Sequence, residues 1–104
     1  MKKRFILATN ITTSAEDQLF KDKLTAAFPG VAWWHRLNEV WLISDPQGRL
    51  EAKTLRDLAK ECYIGKRLLA FEINNDGDTW SAISDAGGSA KETFAWLHKN
   101  WKKE

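Results

Sequence analysis

Residues 31–44, VAWWHRLNEVWLIS, constrain the fold more than any other part of the chain. The stretch is rich in residues that favour strands, and Asn38-Glu39 at its middle suits a tight turn, so it reads as a β-hairpin. With a two-residue loop, Leu37 faces Val40, Arg36 faces Trp41 and His35 faces Leu42. One face then carries Trp33, His35, Leu37, Val40 and Leu42, and the other carries Trp34, Arg36, Trp41 and Ile43. Both faces hold large apolar groups, whereas a strand pair with one face in water alternates more cleanly. Such a hairpin needs cover on both sides, or it presents one side as a binding surface.

The flanking segments say what supplies the cover. RFILATN, residues 4–10, is a compact apolar run of strand length. Ser14 and Asp17 then resemble a capping box, and Leu19, Phe20, Leu24, Ala27 and Phe28 recur at helical spacing until Pro29-Gly30 stops the helix. After the break DPQG a second helix is expected over 50–62, with Ala52, Leu55, Ala59 and Cys62 inward and Arg56, Asp57 and Lys60 outward. RLLAFEI is a fourth strand, and TWSAIS a short fifth. Asp76-Gly77-Asp78 reads as a turn rather than a calcium loop, because the further ligand positions are missing. Ser89 with Glu92 caps a final helix whose stripe is Ala90, Phe94, Leu97 and Trp101, with Trp96 off that stripe. The order β-α-β-β-α-β predicts an α+β, ferredoxin-like antiparallel sheet with two helices on one face, plus the fifth strand and the C-terminal helix. All 104 residues are expected to form one domain.

Composition bears on compartment and partners. A single cysteine, Cys62, leaves no internal disulfide, which together with the lack of a signal peptide or an apolar span predicts a cytoplasmic protein with no membrane partner. Net charge is +2, small for a chain that grips phosphates. Lys2, Lys3 and Arg4 at the start and Lys99, Lys102 and Lys103 at the end read as solvated termini.

No familiar catalytic arrangement is evident. His35 and His98 lack metal-ligand spacing, and one cysteine builds no zinc site. Nucleophile-elbow, phosphate-loop and dinucleotide motifs are absent from the sequence. At the end of the first strand, where a carboxylate would hold a divalent cation in a phosphodiesterase on this fold, stand Thr9 and Asn10. Trp33 or Trp34 beside His35 and Arg36 supplies the residue types of a base-stacking sheet, but the basic strand signature of an RNA-recognition motif is missing. An apolar sheet face left open by the helices instead points to self-association. Trp34, Arg36 and Trp41 are the candidates for that binding or dimer face; reversing the faces would promote Trp33 and His35.

WWHRLNEVWLI, RLLAFEI, WSAIS and AWLHKNW together resemble small bacterial and phage proteins catalogued as the SinR family, a label shared with an unrelated helix-turn-helix repressor. Those proteins are similar in fold to the small CRISPR spacer-integration subunit and to VapD-type toxins. The resemblance implies a ferredoxin-like fold, a dimer formed through the sheet, and a setting in defence or mobile elements. In the better-known relatives an Asp closing the first strand is the proposed metal ligand, and Asn10 is the matching position here. The expectation is therefore a non-catalytic homodimeric binding module for protein, RNA or DNA, without a cofactor. The alternative is a ribonuclease or toxin of the VapD type, dependent on magnesium or manganese.

Overall fold

In the computed structural model, which describes residues 1–73 and 95–101, the chain forms an α+β fold of ferredoxin-like order. Strand β1 (Lys3–Thr9) is followed by helix α1 (Ser14–Ala27), the hairpin β2 (Ala32–Leu37) and β3 (Val40–Asp45), helix α2 (Ala52–Cys62) and strand β4 (Leu68–Ile73). The four strands pair in the order β2-β3-β1-β4, every pair antiparallel. A π-helical turn, Leu97–Trp101, ends the described part of the chain. The expected turn at 76–78, fifth strand, capping box at Ser89 and Glu92, and first part of the last helix lie outside the described residues.

The core lies between the sheet and the two helices. Phe5 and Leu7 of β1 and Trp41 and Ile43 of β3 face Phe20 and Leu24 of α1 and Leu55, Ala59 and Cys62 of α2, with Leu50 and Tyr63 closing the ends. Burial pushes the Cys62 thiol up from its ordinary range and outweighs the opposing pull of Lys23, so it serves as a small apolar core group. The inward stripe of α2 is the expected one. In α1 only Phe20 and Leu24 are buried, while Leu19 is exposed.

Helix α1 starts differently from the sequence reading. The N-cap is Thr13, not Ser14: its extended backbone lets Oγ1 accept from the Glu16 amide at 3.2 Å, while the Glu16 carboxylate accepts from the Thr13 amide at 2.9 Å. The Thr13 amide, with Lys66 alongside, holds the Glu16 carboxyl below its ordinary range despite the opposing effect of desolvation. The shift by one residue matters because it releases Asp17 from the helix end.

The hairpin also departs from the expected register. Leu37 pairs with Val40 as the two-residue turn requires, but Trp34 pairs with Leu42 and Trp33 with Ile43. Between Trp34 and Leu37 the register shifts by one residue, a β-bulge at His35 and Arg36. A one-residue shift exchanges faces. Trp33 and His35 therefore lie with Trp41 and Ile43 under the helices, and Trp34 lies with Leu42 on the opposite face. The expected grouping of Trp34 with Trp41 is thus split.

The basic N-terminus is not wholly solvated either. Arg4 is 1% exposed. Its Nη1 donates to the Trp101 carbonyl at 3.3 Å, and the guanidinium sits 5.6 Å from the Trp101 ring centroid. Arg4 thus holds the C-terminal turn against the sheet face opposite the helices, and Trp96, off the inward stripe, leans on Trp101 at 6.3 Å between centroids. Another structural carboxylate escaped the sequence reading. Asp45, also 1% exposed, accepts from the amides of Gln47, Arg49 and Leu50 at 3.0, 2.7 and 2.8 Å and shapes the DPQG turn. Gly48 sits in that turn at φ +69°, where a side chain would collide with the Met1 carbonyl.

Candidate functional site

Two surfaces bring functional residue types together. The first is the sheet face away from the helices. Cross-strand pairing aligns Trp34, Leu42, Ile6 and Phe71 in one row spanning all four strands. A parallel row holds Leu37, Val40, Ala8 and Leu69. The third row, Ala32, Ser44, Arg4 and Ile73, includes the arginine beneath the C-terminal turn, and there Arg4 and Ser44 are buried. The first two rows keep large apolar side chains in contact with solvent: Phe71 is 50% exposed, Leu37 57% and Leu69 61%. Of the residues singled out from sequence, Trp34 belongs to this face, Arg36 is exposed in the bulge, and Trp41 is 2% exposed on the other side of the sheet.

The second surface is an open cleft of about 210 Å³ between α1 and the hairpin, lined by Ser14, Asp17, Gln18, Lys21, Trp33, His35 and Trp41. Asp17 is its polar anchor. Its Oδ1 accepts from the Tyr63 hydroxyl at 2.7 Å and the Thr12 hydroxyl at 2.8 Å, and its Oδ2 meets His35 Nε2 at 3.3 Å. The other ring nitrogen, Nδ1, lies 2.9 Å from the Val40 carbonyl. A carbonyl only accepts, so Nδ1 carries a hydrogen. The imidazole further stacks flat on Trp41, at 4.0 Å and 4°. Burial, followed by the bond to Asp17, pushes the Tyr63 phenol far above its ordinary range, so it stays protonated and donates. Trp41 directs its buried indole N–H towards the same phenol without closing a hydrogen bond.

This arrangement limits the available chemistry. A histidine acting as general base needs one nitrogen oriented by the protein and the other directed at the substrate. Here the backbone takes Nδ1 and Asp17 takes Nε2. Both oxygens of Asp17 are engaged as well. The set ties α1, the hairpin and the end of α2 together, and lends the cleft a shaped floor rather than a reactive group.

Asn10 is engaged in its own way. Its side-chain oxygen accepts from the Arg67 amide, and its own amide donates to the Arg67 carbonyl at 3.2 Å. It extends the β1–β4 ladder by one step, a role in which an amide serves without bringing a charge. Among the described residues, no group of three or more His, Cys, Asp or Glu side chains is placed to hold a metal ion.

The bulge concealed the membership of both surfaces, whereas Ile6, Leu69 and Phe71 were within reach of simple alternation. In RFILATN, Phe5 and Leu7 point to the helices and Ile6 away; in LLAFEI, Leu68 and Ala70 point inward and Leu69 and Phe71 away. Comparison of the chain with protein families, curated proteins and solved structures returned no match. No helix among the described residues is long and apolar enough to cross a membrane.

Proposed function

We propose that the protein is a non-catalytic binding module that acts as a homodimer joined through the open sheet face. The observation that carries this reading is the pair of apolar cross-strand rows, with Phe71, Leu37 and Leu69 all half or more exposed. A contiguous apolar face on a four-stranded sheet is a docking surface, and a flat, self-complementary one suits a two-fold contact. The engaged state of His35 and Asp17 supports binding over catalysis. The link of Asn10 to Arg67 supports it over the metal-dependent ribonuclease alternative. The resemblance to the SinR-labelled proteins adds a setting in defence or mobile elements to the same reading.

Light scattering after size exclusion tests it. The intact chain is expected to elute as a dimer. In an isologous contact a substitution counts twice, so Phe71→Asp weakens association by about 3 kcal/mol or more, roughly a hundredfold. Because Phe71 is half exposed, the fold survives the change. A wild-type chain that stays monomeric into the hundreds of micromolar overturns the proposal. In parallel, labelled RNA and DNA are incubated with magnesium or manganese and with EDTA; metal-dependent cleavage would replace binding by the ribonuclease alternative.

A further inference from the structure

From the cleft between α1 and the hairpin we infer a binding site for a small organic ammonium head group, of the quaternary or methylated type, which Lys21 occupies while the site is free. The inference does not depend on the dimer, because the cleft lies on the helix side of the sheet.

The first support is that the cleft already holds a cation on an aromatic ring. The Lys21 ammonium lies 5.2 Å from the Trp33 ring centroid, within range for attraction to the ring quadrupole. The second is the shape of the aromatic wall. Trp33 and Trp41 meet at 64° with centroids 5.6 Å apart, forming a corner rather than a flat stack. Trp41, buried with His35 stacked on one face, only backs the cleft, so Trp33 supplies the ring contact. The third is the carboxylate. Asp17 borders the same cleft, and its side chain keeps 23% of its surface accessible despite its contacts with Tyr63, Thr12 and His35. Aromatic rings at an angle with an acidic group beside them are the chemistry that recognises alkylammonium ions.

Size and charge balance narrow the ligand. About 210 Å³ exceeds the roughly 150 Å³ of a cavity that takes up benzene, so it holds one compact head group. Exchange of the Lys21 ammonium for a ligand ammonium leaves the charge of the cleft unchanged. Lys21 is a half-buried residue on the surface of α1, and its four-carbon stem allows the ammonium to swing outward into water. An anion gains nothing comparable, since it would face Asp17 and the π-face of Trp33. Lys21 therefore acts as an internal competitor, and its removal is expected to strengthen binding.

Choline is the probe, and its neutral isostere with carbon in place of nitrogen is the control. Binding is followed through the Trp33 indole signal in nitrogen–proton correlation spectra, assigned with Trp33→Phe. Lys21→Ala is expected to bind choline about tenfold more tightly than the wild type, and the isostere about tenfold less tightly than choline. Trp33→Leu in the Lys21→Ala background is expected to abolish saturation. Should Trp33→Leu fail to fold, the comparison of choline with its isostere on Lys21→Ala still decides. Equal binding of the two compounds, no saturable shift in Lys21→Ala, or shifts confined to other tryptophans would overturn the inference.

Discussion

Removing the Asp17 carboxylate tests whether the cleft floor acts as one unit. In Asp17→Ala the Tyr63 hydroxyl, on a residue 1% exposed, loses the partner it holds at 2.7 Å. Leaving a buried hydroxyl unsatisfied costs about 1–3 kcal/mol, and loss of the Thr12 bond brings the expected total to about 2–4 kcal/mol. His35 Nε2 contributes little to that sum, because it faces an open cleft where water replaces the carboxylate. Tyr63→Phe removes the phenol instead. Asp17 then keeps Thr12 and reaches water, so the cost is about 1 kcal/mol. In the double variant no buried phenol is left to be orphaned, only the Thr12 bond being lost as before, and the total falls short of the sum of the singles by about 1–2 kcal/mol. Urea unfolding followed by tryptophan fluorescence measures all four chains, provided the m-values agree. For a domain whose whole stability is of order 5–15 kcal/mol, these differences are well resolved. Additivity within about 0.5 kcal/mol would refute the reasoning, since it would mean that Asp17 and Tyr63 stabilise the fold independently.

Two further outcomes follow from the same region. Tyr63 is the only tyrosine, so a spectrophotometric titration reads it alone. Its folded phenol titrates far above the unfolded value of about 10, so the folded state holds a proton that the unfolded state releases. This contribution to stability is complete below about pH 10 and is lost as pH rises further, so phenolate is expected to appear only as the chain unfolds; a reversible phenolate signal with native fluorescence refutes it. At the start of α1, Thr13→Ala is expected to cost about 1 kcal/mol and Ser14→Ala less than about 0.5 kcal/mol in urea unfolding, the reverse of what a Ser14 cap would give.

The parts of the fold visible in the sequence are those set by periodicity and by breakers. Pro29-Gly30, the Asn38-Glu39 turn and the stripe of α2 each depend on neighbours a few residues away, and the order of elements follows from them. The misplaced features depend on one-residue offsets or on distant partners. Thr13 and Ser14 stand side by side at the start of α1, and the choice of Thr13 as the cap was settled by its reciprocal bonds with Glu16. That choice sends Asp17 to Tyr63, 46 residues later, a partnership no local pattern encodes. Arg4 reads as a solvated end until a tryptophan 97 residues away covers it.

The bulge at His35 and Arg36 links these observations. Without it, Trp33 and His35 would fall with Leu42 on the face away from the helices, leaving Asp17 without its imidazole and Lys21 without its ring. The extra residue lets β2 place Trp33 and His35 beside Trp41, while Leu37 stays with Leu42 on the open face and Trp34 joins them. One local irregularity in β2 thus shapes both surfaces, the apolar sheet face and the aromatic cleft. Among the described strands β2 lies at an end of the sheet, and a bulge there interrupts the ladder, which discourages further strands from adding to it. The proposed association is thereby left to the sheet face instead of the β2 edge.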